Sequence, residues 1–192
     1  MRSRREFLKL LALAGGAFGL SGHAPYRQWV VYRSERLMIV ASRHEPEAFP
    51  LTEALVADLQ RAIPDTQATP ARAPSTLHIA RLIDSRQIDV AVLTAGQAQA
   101  ISRGSGECAE HGAVPIRLLA LLRGDHALVC NSAFDRDRGY LVLFGLFDEQ
   151  GSQTLSPEYR SLAAANQGAA ELGIPLHVGA REFLLEWDKP AG

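Results

Sequence analysis

The chain has 192 residues, 47% of them hydrophobic and 21% charged, with a formal net charge of -1. That balance suits one globular domain with a proper core. It excludes the basic surplus of a nucleic-acid binder, so no nucleic-acid partner is expected.

The first element is a leader. Residues 3–9 read Ser-Arg-Arg-Glu-Phe-Leu-Lys, and Arg4, Arg5, Phe7 and Leu8 fit the twin-arginine export signal. Residues 10–20 are apolar but rich in Ala and Gly. The run is shorter than the roughly 20 residues a membrane span needs. Residues 1–24 are therefore set aside as a signal peptide, and 25–192 as a single domain. The expected partner during export is the twin-arginine translocase, and the expected location is the periplasm, reached already folded. Cleavage after Gly19 or Gly22 and an uncut leader that tethers the protein both remain open.

Residues 26–34 read as a short helix or an extended lead-in. Residues 37–41 are a continuous apolar run, as in a strand buried on both faces. A loop over 42–49 leads to a helix over 51–59, where Leu51, Leu55, Val56 and Leu59 share one side and Pro50 suits the first turn. Residues 66–73 form a more polar strand. Pro74, Ser75 and Thr76 open a second helix, with Leu77, Ile79, Ala80, Leu82 and Ile83 as its apolar side. Residues 88–93 are a third strand. Thr94, Ala95, Gly96 and Gln97 turn out of it into a short helix that ends near Gly104.

After a polar loop over 104–112 come two apolar runs, 116–122 and 127–130. Arg123, Gly124 and Asp125 separate them, so they are one bent strand or two. The pattern then turns helical over 140–147, 157–172 and 179–187. Strands alternating with helices predict an α/β fold: an open, mainly parallel sheet with helices on both faces.

Three stretches resemble TAXI-type solute receptors of TRAP transporters, which are type II periplasmic binding proteins. The first runs from Ser75 to Leu93, a Ser-started helix followed by a short turn and an Asp-x-Ala strand at Asp89, Val90 and Ala91. The second runs from Tyr140 to Phe147. The third is Pro-Leu-His-Val-Gly-Ala-Arg-Glu-Phe over 175–183. The glycine-rich loop that such receptors carry after the first strand is replaced by Ser42, Arg43, His44, Glu45 and Pro46. After Cys130 the chain passes straight into its C-terminal helices, which leaves room for about one lobe. The resemblance implies a shortened solute-binding protein working with a membrane transporter. The alternative is a ligand-free accessory protein for a co-exported periplasmic redox enzyme. An enzymatic role has the least support, and no cofactor motif is present.

In an open α/β sheet, ligands bind beyond the carboxyl ends of the strands. The candidate ligand-binding residues there are Ser42, Arg43, Ser75, Thr76, Thr94 and Gln97. A helix start favours an anion, and an arginine can bond a carboxylate, so a small organic anion is the expected ligand. The competing roles are a helix cap for Ser75 and a solvated surface position for Arg43. Near the C-terminus, Gly179 is expected to permit close backbone approach, and His177 to cap or bond a neighbouring loop.

Cys108 and Cys130 are expected either to form a disulfide or to remain two unpaired thiols, with Cys130 in a strand. Cys108 and His111 with His126 and Cys130 look like a four-ligand metal set. If 126–130 is a strand, His126 and Cys130 stand about 13 Å apart, too far for one zinc ion, and no metal site is expected.

Overall fold

The computed structural model describes residues 36–147 and 152–189. The export signal at Arg4, Arg5, Phe7 and Leu8 and the lead-in over 26–34 lie outside the described residues.

Five strands form one open sheet: β1 (Met38–Ser42), β2 (Thr69–Ala73), β3 (Val90–Thr94), β4 (Ile116–Leu122) and β5 (His126–Asn131). Their order is β2-β1-β3-β5-β4. β1 pairs in parallel with both β2 and β3, while β5 runs antiparallel to β3 and to β4. Four strands thus share one direction and β5 alone is reversed. The two apolar runs after residue 115 are two strands of a hairpin, turned at Gly124 with φ +65°.

The helices are α1 (Ala48–Ala62), α2 (Thr76–Asp84), α3 (Ala95–Arg103), α4 (Arg136–Leu146), α5 (Leu162–Leu172) and α6 (Val178–Trp187). The chain moves from β1 outward to β2, then back across β1 to β3. Right-handed crossovers in opposite directions put α1 and α2 on opposite faces. α1, α4 and α6 pack in succession as one layer, and α2, α3 and α5 as the other. This double cover explains the continuous apolar strands: Val90 to Leu93 and all of β5 are buried.

Several boundaries differ from the sequence reading. Residues 64–66 make a 3-10 turn, so β2 starts only at Thr69. α4 begins at Arg136, capped by the Asp135 carboxylate. The helix expected over 157–172 exists only from Leu162, with Ser161 as its cap. The preceding stretch is held otherwise. Leu155 bridges to Leu122, and the fully buried Tyr159 donates its hydroxyl to the Leu119 carbonyl at 2.8 Å. The register of β4 against β5 shifts between Leu118 and Ala120. Tyr159 therefore satisfies a carbonyl at the irregularity where Leu119 falls out of the ladder.

α4 and α6 cross with almost no gap. A Cβ on Gly179 would lie 2.1 Å from the Arg136 carbonyl oxygen. His177 caps α6, its Nδ1 accepting from the Gly179 N–H at 3.2 Å while Nε2 donates to the Phe134 carbonyl at 3.1 Å. The expected roles of both residues are met. Outside this crossing, Phe147 and Phe183 pack edge to face at 5.0 Å.

Cys108 and Cys130 are free and buried, so the disulfide left open by the sequence is not formed. Cys130 sits in the middle of the sheet opposite Val90 and Arg117. Cys108 belongs to a 3-10 turn packed against α2 and α3. Among the described residues no helix is long and apolar enough to cross a membrane.

Candidate functional site

β1, β2, β3 and β4 all finish at one end of the sheet, and β5 starts there. The register makes this concrete: Ser42 is level with Ala73, and His126 is level with both Thr94 and Leu122. The loops after β1, β2 and β3 and the β4–β5 turn therefore collect at one rim. Backbone bonds tie them together, from Arg43 N–H to the Ala73 carbonyl and from Ala95 N–H to the Asp125 carbonyl. β1 feeds α1 on one face and β3 feeds α3 on the other, which is the divergence that opens a crevice in sheets of this type.

The structure gathers all six candidate residues at this rim, but it occupies most of their polar atoms. The buried Ser42 hydroxyl accepts from the His44 N–H at 3.2 Å. Ser75 caps α2 by accepting from the His78 N–H. Thr94 and Gln97 form a reciprocal capping box at the start of α3. Thr76 is buried, and Arg43 is exposed.

A groove of about 400 Å³ opens at the same rim, between the first turn of α1 and the β4–β5 turn. Pro46, Pro50 and Leu51 form an apolar wall; Glu47, Arg123 and His126 bring polar groups. Glu47 precedes α1 but its side chain does not cap the helix. His126 is only 6% exposed. Its Nδ1 lies 3.3 Å from the Arg123 carbonyl, which can only accept, so Nδ1 carries the proton. Nε2 is then an acceptor. Among the described residues it is the one buried side-chain polar atom without a hydrogen-bond partner. Such an orphan costs about 1–3 kcal/mol until something donates to it.

No family model matches this chain, and no curated protein matches it.

A wider groove, about 580 Å³, runs between α4 and α6. Four of its polar side chains are already paired with one another. Arg136 donates to Glu182 at 2.6 Å, and the Tyr140 hydroxyl donates to Glu186 at 2.6 Å. The rim groove is smaller, but His126 lines it and it sits where the strands end.

Sequence reasoning met His126 only as a metal ligand. β5 is a strand, so His126 and Cys130 stand about 13 Å apart along it. Among the described residues no group of three or more metal-ligating side chains comes together. Glu47 and His126 are joined by the fold alone, and no spacing rule links them.

Proposed function

We propose that this chain is an exported periplasmic protein of the solute-binding kind, a single lobe resembling TAXI-type receptors, that holds a small organic anion at the carboxyl ends of its strands. The observation that carries the reading is the groove at that rim, with exposed Arg123 and Arg43 and the starts of α2 and α3 close by. The leader supports delivery by the twin-arginine route. The test is thermal denaturation of the full chain against a broad panel of organic acids and amino acids. A ligand at 100 times its Kd adds about 2.7 kcal/mol, or a Tm rise of about 5–10 °C for a domain of this size. A flat panel overturns the proposal.

One observation favours a second reading, an accessory protein for a co-exported enzyme. Leu141 and Phe144 on α4 and Leu185 and Trp187 on α6 are between 42% and 53% exposed. Large apolar side chains gathered on one helical layer suit a protein partner. A stable complex recovered with the tagged chain, together with a flat ligand panel, selects this reading.

A further inference from the structure

We infer that the exposed face of α4 and α6 docks a second copy of this chain, as a two-fold symmetric pair with Leu141, Phe144 and Leu185 in the contact. The inference is independent of the solute-binding reading, which uses other residues.

Both helices present an apolar stripe here. Asp137, Leu141 and Phe144 are exposed at helical spacing on α4, and Val178, Leu185 and Lys189 on α6 and its exit. The four apolar residues among them are between 42% and 53% exposed. Large apolar side chains at that exposure offer roughly 400 Å² together. One side of a stable protein pair covers about 800 Å², somewhat over half of it apolar. The face therefore supplies most of the apolar area that a stable dimer needs. The alkyl stems of Arg136 and Lys189 along the groove add to it.

The charges favour a copy over a foreign partner. Arg136 is bonded to Glu182, and Tyr140 to Glu186, so these groups in the middle of the face already have partners. Asp137 and Lys189 line the same groove and make no ion pair among the described residues. They stand at diagonal corners. The two bonded pairs show that α4 and α6 run in the same general direction, with Asp137 level with Phe183. Lys189 lies across the groove and about 9 Å further along, at 1.5 Å per residue. A two-fold axis lying in the face, perpendicular to the line between these corners, brings each Asp137 onto the partner's Lys189. One charged contact is then made twice, as a self-complementary interface requires. A foreign partner would have to bring a matching pair of charges, whereas a copy of this chain carries them.

Sedimentation velocity on the full chain, across a wide range of concentration, should show a species of twice the 20.8 kDa chain mass. Phe144→Glu, at a half-exposed position, should give a folded monomer. Asp137→Lys and Lys189→Asp should each weaken the dimer about tenfold, because the like-charge contact occurs twice. Mixing the two single variants should restore the dimer, since both contacts of the mixed pair again join opposite charges. Damage within either chain cannot produce that rescue. A chain that stays monomeric at every concentration overturns the inference and leaves the face to another occupant. A dimer indifferent to Phe144→Glu overturns it as well. So does a mixture of the two charge variants that stays as weak as each variant alone.

Discussion

Replacing Gly179 by alanine should destabilise the fold even though alanine is the better helix former. The new Cβ would lie 2.1 Å from the Arg136 carbonyl oxygen and 2.6 Å from the Tyr140 nitrogen. Both contacts are backbone atoms of α4, so no side chain can swing away, and α4 and α6 must part. Overpacking costs about 1–3 kcal/mol, and a backbone clash belongs at the top of that range. The gain in helix propensity offsets at most about 1 kcal/mol. The net loss is about 2 kcal/mol, or a Tm lower by about 4–8 °C. Gly96→Ala is the control, since a Cβ there meets nothing within 4 Å. It should leave Tm unchanged or raise it slightly. Urea and thermal denaturation of the two variants beside the parent chain read both effects. A Gly179→Ala protein as stable as the parent would refute the close crossing of α4 and α6.

Three further outcomes follow from the same geometry. Burial pushes the His177 imidazole below its ordinary value of 6.5, opposed by its bond to the Phe134 carbonyl. The unfolded chain takes up this proton more readily, so the residue's contribution to stability is complete above pH 6.5 and declines as pH falls below it. Urea midpoints between pH 7.5 and 5 should show the decline, and His177→Gln should flatten it. Tyr159→Phe leaves the Leu119 carbonyl unpartnered and should cost about 1–2 kcal/mol in urea denaturation, with the fold retained. Burial also raises the Cys130 thiol well above its ordinary value, so neither buried cysteine should react with iodoacetamide in the native protein. Both should react in denaturant without prior reduction, and a need for reductant would contradict the free thiols.

The fold was legible where local chemistry and tertiary context agree. The run from Ile88 to Leu93 is apolar because β3 is covered on both faces, and it could be read without knowing what covers it. The stretch at 157–161 was misread because Tyr159 looks like one more apolar residue of a helix, whereas its hydroxyl has a fixed partner on β4. The direction of β5 depended on a three-residue turn that a bent strand could equally contain. At the candidate site the ambiguity is chemical. Ser75, Thr94 and Gln97 are residue types that serve ligands and cap helices alike, and here they cap. Arg123 and His126 escaped notice as a pair because their value depends on Glu47 and Pro50, which lie far away in the chain.

The most direct test is a map of amide chemical shifts on a uniformly labelled full chain, titrated with an organic acid that stabilises it. The account predicts that the shifts concentrate in residues 43–47, 74–76, 94–97 and 123–126. Shifts concentrated on α4 and α6, with that rim silent, would contradict it.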